Sequence, residues 1–285
     1  MLAELKEEDG VPTIEIIKDI DKEEVDTLFK YQRPITDYKH IKYLYQITIS
    51  NGRELSSFLN AVYTNKGIIQ DMNAENILLE GNRLIANYCS FIGMFIDQIE
   101  KVLTRKDKQK ITDFRKICSQ LYDEKFEYRF IVLLRNFITH YSLPFVHYRE
   151  DLSGKKIEFS KNHLLEFSKW KHVKNELIEM EDYIDFREYI NPMNVNLTVL
   201  FYTFILHLSS DIINAYQKMS DFILKHRIKN PAIARYNSVE EFKQGRMSYT
   251  PIEVKDLISA FNDVKSHPNI NVKINEITPV WLSSK

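Results

Sequence analysis

Residues 126–144 read FEYRFIVLLRNFITHYSLP, and this stretch decides the fold class. Its apolar residues recur every three or four positions, which is typical of a helix with one face on a core. At 100° per residue one stripe comprises Phe130, Leu134, Phe137 and Tyr141. The pattern predicts a core helix that begins near Asp123 and is stopped by Pro144.

The residues before this stretch predict two more core helices. After Asn82, apolar residues continue at helical spacing as far as Leu103, which indicates a helix of about 20 residues. Asp107 is a good helix cap, and the apolar positions that follow it include Phe114 and Leu121. Three consecutive amphipathic helices favour a helical bundle.

A β-hairpin is predicted directly after Pro144. Residues 145–150 and 156–159 alternate between apolar and polar side chains on either side of Ser153-Gly154. Ser160 is expected to cap the next helix, and Pro192 is expected to interrupt the chain. The helices predicted beyond the hairpin are 160–170, 173–189 and 196–224.

The two ends of the chain give weaker patterns. A short strand is predicted at 14–17, followed by a helix that Asp21 caps and Pro34 ends. Residues 35–64 fit either a strand or a helix, and we favour a helix that Asn51-Gly52 interrupts. Near the C-terminus we predict a helix at 252–261 and a strand at 272–277.

These elements predict a mainly α protein with a small hairpin insertion and short strands near the termini. The expected organisation is an N-terminal helical extension, a helical bundle with the hairpin near 145–160, and an irregular and helical C-terminal extension. Their boundaries are 1–75, 76–228 and 229–285.

Composition excludes several classes of site. The chain has 7 glycines in 285 residues, where average usage gives roughly 20. It contains no G-x-G-x-x-G, no G-x-x-x-x-G-K-[ST] and no G-x-S-x-G, so Rossmann, P-loop and serine-hydrolase sites are excluded. The eight histidines and two cysteines show no metal-ligand spacing. We expect neither metal nor cofactor.

Charge and apolar patterning bear on partners and localisation. Lys and Arg number 39 and Asp and Glu number 40, so a nucleic-acid site must be a local patch. The first residues lack an apolar leader, and no long uncharged apolar stretch follows. We expect a cytoplasmic protein without membrane association.

Polar residues cluster on the flank of the helix quoted above. Asn136 and His140 are four residues apart and share one side, which Arg129 extends. Arg135 projects about 140° away from His140, so the two meet only if the arginine wraps around or a second helix completes the site. The structural alternative is a solvated face with a helix-end histidine that the dipole favours.

The string Arg135, Asn136, His140 resembles the R-x4-6-H motif of the HEPN superfamily, in which a polar residue often follows the arginine. The likeness extends over residues 75 to 225, although only the short string is specific. It implies a helical bundle and a homodimer whose two motif helices face each other. The hairpin after Pro144 departs from the pattern of many HEPN proteins.

The resemblance also implies an activity, which is metal-independent cleavage of RNA in phage defence or in a toxin and antitoxin system. His140 would transfer protons, Arg135 would stabilise phosphate charge, and Asn136 would orient one of them. Arg129 and Tyr141 are candidate substrate-binding residues, and core packing is the alternative role for Tyr141. RNA, a second copy and an antitoxin or regulatory protein are the expected partners.

Two other functions are compatible with the sequence. The chain could be a non-catalytic helical module that binds RNA or protein, or a regulatory subunit of a nucleotidyltransferase. Loss of activity occurs among HEPN relatives, and the presence of Arg135, Asn136 and His140 argues against it.

Overall fold

The structure is a computed structural model, and the residues that it describes are 1–8, 11–151, 154–235, 240–241, 244 and 246–271. Helices dominate, and two small antiparallel sheets accompany them. The predicted mainly α class is therefore confirmed, as are the hairpin and a strand near the N-terminus. The strand predicted at 272–277 lies outside the described residues.

The described part of the chain forms eight α-helices and one short 3-10 helix, Gly67–Asp71. The helices are α1 Lys22–Thr64, α2 Ala74–Thr104, α3 Lys108–Glu124, α4 Phe126–His140, α5 Lys161–Leu165, α6 Val173–Glu179, α7 Arg187–His226 and α8 Val254–Lys265. The strands are β1 Leu2–Glu8, β2 Val11–Lys18, β3 His147–Asp151, β4 Gly154–Ser160, β5 Tyr183–Ile184, β6 Pro231–Arg235 and β7 Ser248–Pro251.

The chain divides into two compact units. One, the terminal unit, contains residues 1–40 and 205–285, and the other, the central unit, contains residues 41–204. Parts of the predicted N- and C-terminal extensions therefore belong to one unit.

A four-stranded sheet holds the terminal unit together, with strand order β2, β1, β6, β7. Leu2 of β1 lies opposite Ile233 of β6, so residues more than 200 positions apart share one antiparallel ladder. The Tyr38 hydroxyl donates to Asp263 at 2.6 Å, and the rings of Tyr216 and Phe261 stack with centroids 3.9 Å apart.

The apolar stripe of α4 lies at the centre of the central unit. Phe130, Leu134 and Phe137 are completely buried, as the helical spacing predicts. Phe130 and Phe137 contact aromatic rings from later elements, which include Phe159, Phe167, Trp170, Phe186 and Tyr189. The β3 and β4 hairpin packs beside this cluster, and β5 extends it to a three-stranded sheet.

Two prolines expected to break helices lie inside them. Pro34 is within α1 and Pro192 is within the second turn of α7, so both of these predictions are wrong. An interior proline costs about 3 kcal/mol because it removes a backbone hydrogen bond and crowds the preceding turn. The buried stripe continues past each one, through Ile35 and through Met193, and burial outweighs this cost.

Asn51-Gly52 does not interrupt α1 either. A Cβ atom at Gly52 would lie 2.8 Å from the ring of Tyr88 and 2.9 Å from Oδ1 of Asn194. The Tyr88 hydroxyl donates to that same oxygen at 2.8 Å. Glycine is therefore needed here for close packing between helices, which a sequence pattern does not distinguish from a break.

Several predicted helix boundaries also differ. Helix α4 begins at Phe126 and not near Asp123, and α2 begins eight residues before Asn82, at Ala74. Helix 160–170 ends early at Leu165, where the Trp170 indole donates to the Leu164 carbonyl at 2.5 Å. Likewise helix 173–189 ends at Glu179, before β5.

Helix α7 is, among the described residues, the one that is long and apolar enough to cross a membrane by length and composition. Of its most apolar window, 44% is buried inside the protein. The core helices of soluble proteins can also meet these criteria of length and composition.

A buried asparagine of α2 forms hydrogen bonds with the backbone that follows α4. Asn82 is 6% exposed, and its amide nitrogen donates to the Phe145 carbonyl at 2.8 Å. The Phe145 N–H donates to Asn82 Oδ1 at 3.0 Å. This side chain thus replaces a backbone partner at the start of the hairpin.

We expect Asn82→Ala to lower the free energy of unfolding by about 2–4 kcal/mol, because it leaves two buried backbone groups of Phe145 without partners. Asn175→Ala on the exposed side of α6 is the matched control and should change it by less than about 0.5 kcal/mol. Urea titration measures both values. Equal effects of the two substitutions would contradict this role of Asn82.

Candidate active site

Asn136 and His140 form an exposed pair on α4. The aromatic stripe packs in the core, and these two side chains lie on the flank beside it, where both are exposed to solvent. Within the described residues, neither side chain forms a hydrogen bond or an ion pair. Both are therefore available to a ligand or to a second chain.

Arg135 lies between the core and solvent and is half-buried against α2. A Cβ atom placed on Gly93 would lie 2.5 Å from its Cζ and 2.6 Å from its Nε and Nη1. The guanidinium thus occupies the space that any larger residue at position 93 would fill. Gly93 determines how closely this charge approaches α2.

No carboxylate in the described part of the chain pairs with Arg135. This distinguishes it from the ion-paired arginines of the central unit, which include Arg83, Arg115, Arg129, Arg149 and Arg187. A half-buried cation without a counter-ion has a stronger field than a fully solvated one. It is therefore the best-placed cation on α4 to bind an anion such as phosphate.

The charge of Arg135 acts on the buried thiol of Cys89. Burial raises the pKa of Cys89 to about 12, and the charge of Arg135 opposes that rise. The thiol is therefore neutral at physiological pH and leaves the positive charge of Arg135 uncompensated. Cys89 packs in the core, together with most of the residues on the same face of α2.

The structure does not bring all three predicted catalytic residues together within one chain. Asn136 and His140 share the exposed flank, whereas Arg135 points toward α2. No hydrogen bond of the described residues joins Arg135 to His140. Residues five apart on a helix project about 140° from each other, which accounts for this separation.

Arg129, a predicted substrate-binding residue, has partners inside the chain. Its guanidinium forms an ion pair with Glu176 of α6, with Nε and Oε2 2.9 Å apart. It also donates to the carbonyl oxygens of Tyr122 and Asp123, at 3.4 and 3.3 Å. Arg129 thus joins α3, α4 and α6, and its contact with RNA stays a prediction.

Tyr141, the other predicted substrate-binding residue, follows α4 and is 47% exposed. Its ring packs on Phe137 and Phe167, and its hydroxyl donates to Glu166 at 2.8 Å. That hydrogen bond is the main reason why the pKa of Tyr141 is raised. The side chain therefore combines packing with hydrogen bonding.

Three residues near the site were not predicted from the sequence. Gly93 has no distinguishing local signal, because α2 also contains Gly81 and Ala86, and its neighbour Arg135 is 42 positions away. His163 and Glu166 contact the chain just after His140, but nothing in their spacing indicates this. Contacts between distant segments have no local sequence signal.

Within the part of the chain that the structure describes, no group of three or more His, Cys, Asp or Glu side chains could hold a metal ion. The groups on α4 that can act on a phosphate are an arginine, an asparagine and a histidine. Together they can bind charge and transfer protons.

The position of Arg135 can be tested by a double-mutant cycle with Gly93. In an Arg135→Ala background, Gly93→Ala should raise the free energy of unfolding by about 1 kcal/mol, the helix-propensity difference. With Arg135 present, this gain should be lost or reversed because the guanidinium must leave α2. The coupling should be at least about 0.5 kcal/mol, and equal effects in both backgrounds would contradict the contact.

No protein-family model, curated protein or solved structure matches this chain. Its family assignment therefore depends on the motif residues of α4 and is a proposal.

Proposed function

We propose that this protein is a HEPN-type, metal-independent endoribonuclease. The observation that carries the proposal is the pair of features on α4: the Arg135 guanidinium has no carboxylate partner in the described structure, and Asn136 and His140 are exposed on the adjoining flank. The chain lacks glycine-rich loops, so in this proposal side chains on a helix bind the phosphate instead. The helical fold is consistent with this family.

The proposed reaction begins at a ribose 2′-hydroxyl. As its oxygen attacks the adjacent phosphorus it loses a proton, the bond from phosphorus to the 5′-oxygen breaks, and that oxygen gains a proton. The products are a 2′,3′-cyclic phosphate and a 5′-hydroxyl. An exposed imidazole such as that of His140 can serve either proton transfer near neutral pH.

Arg135 would stabilise the negative charge that develops on the phosphate oxygens. Its planar guanidinium offers parallel donors that match two such oxygens. Because no carboxylate of the described residues competes for it, phosphate would not have to displace a partner among them. Asn136, exposed beside His140, would orient the imidazole or the phosphate.

A homodimer would bring together Arg135 and His140, which point in different directions within a single chain. If two α4 helices face each other across a cleft, Arg135 of one chain can act on the same phosphate as His140 of the other. In a two-fold dimer such a site occurs twice.

The proposed setting is the cytoplasm, where such an activity would serve in phage defence or as a toxin restrained by an antitoxin or regulatory protein. This part of the proposal derives from the resemblance of the motif alone.

Cleavage assays in EDTA test the proposal. We expect the purified protein to cleave structured or single-stranded RNA and leave 2′,3′-cyclic phosphate ends. His140→Ala should lower kcat/KM by about 10²–10⁴-fold because proton transfer is lost. Arg135→Ala should lower it by about 10²–10³-fold because phosphate charge is no longer stabilised.

The matched controls are Arg53→Ala and His172→Ala, which remove exposed side chains of the same types elsewhere in the central unit. Both should cleave at the wild-type rate. Cleavage that survives Arg135→Ala and His140→Ala would refute the site assignment. RNA binding without cleavage by the folded wild-type dimer would favour the non-catalytic module.

Mixing inactive subunits tests the shared site. A heterodimer of Arg135→Ala and His140→Ala chains retains one site with both functional residues, so a random mixture should recover about a quarter of wild-type activity. Each variant alone should stay inactive. If the mixture is as inactive as its components while subunit exchange is demonstrated, Arg135 and His140 do not act across the interface.

A further inference from the structure

The residues that follow His140 are held in place by several hydrogen bonds. Tyr141 leaves the helical conformation, with φ −133° and ψ −72°, and α4 ends there. The N–H groups of Tyr141 and Ser142 both donate to the Phe137 carbonyl, at 2.9 and 3.1 Å. These two bonds close the last turn of α4, which carries His140.

Two side chains from α5 and its C-cap hold the same segment from outside. The Tyr141 hydroxyl donates to Oε2 of Glu166 at 2.8 Å. The Leu143 carbonyl oxygen lies 3.0 Å from Nε2 of His163. We name this pair of residues, His163 and Glu166, the α5 clamp.

The two residues of the clamp also lie next to each other. Nδ1 of His163 lies 3.3 Å from Oε2 of Glu166, the oxygen that accepts from Tyr141. Each ring nitrogen of His163 therefore faces an oxygen acceptor, one a carbonyl and the other a carboxylate.

Aromatic rings pack against the clamp and the residue that it contacts. The His163 ring meets the buried Phe137 ring edge-on, with centroids 5.4 Å apart. Tyr141 packs on Phe137 and on Phe167, at 5.3 and 5.8 Å. Although Glu166 is largely exposed, His163 is mostly covered, so the ring that contacts Leu143 is fixed by packing as well as by hydrogen bonds.

We propose that His163 and Glu166 are positioning residues that fix the last turn of α4 and thereby the placement of His140. The inference rests on the proposed nuclease function for its catalytic consequence, and on contacts of the described residues for its structural part. The clamp and Asn82 together hold residues 141–145 on two sides. Displacements of about 1 Å from such a geometry reduce rates substantially.

Hydrogen exchange followed by NMR tests the structural part without RNA. His163→Phe keeps the aromatic packing and Glu166→Gln keeps the shape, but both remove clamp interactions. We expect the amides of Tyr141 and Ser142 to exchange about 10-fold faster in either variant, with α2 amides unchanged. Glu179→Gln, at an exposed glutamate of α6, is the matched control and should leave all of these rates unchanged.

The cleavage assay tests the catalytic part. His163→Phe and Glu166→Gln should lower kcat by about 10-fold with KM unchanged, because His140 is misplaced while phosphate binding by Arg135 is intact. Tyr141→Phe, which loses only the hydroxyl, should show a smaller decrease in kcat, and Tyr249→Phe, equally exposed, should show none.

The outcomes separate the two proposals. Unchanged amide exchange in both clamp variants would overturn the clamp whatever the activity. Faster exchange with wild-type kcat would overturn its positioning role. If wild-type protein cleaves no RNA while exchange is accelerated as expected, the nuclease proposal fails and the clamp remains as a feature of α4.

Discussion

The packing of α4 on its aromatic neighbours is the constraint on which the central unit depends. Phe130 and Phe137 both contact Trp170, and their burial fixes the rotation of α4 about its own axis. Because a helix has a fixed angular step, this rotation decides where every polar residue of α4 points. Arg135 is directed to α2, while Asn136 and His140 are directed to solvent.

The electrostatics of the candidate site follow from that placement. Arg129 and Arg135 are on one helix, yet Arg129 is neutralised by Glu176 and Arg135 has no carboxylate partner among the described residues. The near balance of charge over the whole chain is therefore compatible with a local cation that can bind phosphate. Gly93 makes this possible because its missing side chain admits the guanidinium beside α2.

Local patterns predicted much of this architecture. The structure confirms the burial of Phe130, Leu134 and Phe137, the cap at Asp107 and the hairpin after Pro144, which all depend on residues that are close in sequence. Tyr141, the fourth residue of the predicted stripe, lies beyond α4 and is 47% exposed. The effects of Pro34 and Pro192 were not predicted, because burial along the whole helix decides whether an interior proline is tolerated.

Less of the candidate site than of the fold was predictable from the sequence. The motif string identified Arg135, Asn136 and His140, and helical geometry predicted that Arg135 and His140 lie apart. The contacts of Arg135 with Gly93, and of Leu143 with His163, join separate segments that no periodicity connects. Likewise, the internal partner of Arg129 is 47 residues away on α6, so the sequence did not indicate that its charge is paired.

The most direct test of the central claim is a crystal structure of the protein with a short RNA that is 2′-O-methylated and therefore cannot be cleaved. We expect a phosphate bound by the Arg135 guanidinium, with a His140 imidazole nitrogen about 2.6–3.2 Å from the 2′-oxygen or the 5′-oxygen. RNA bound away from α4, or a phosphate at Arg135 with every His140 imidazole beyond reach of both oxygens, would contradict it.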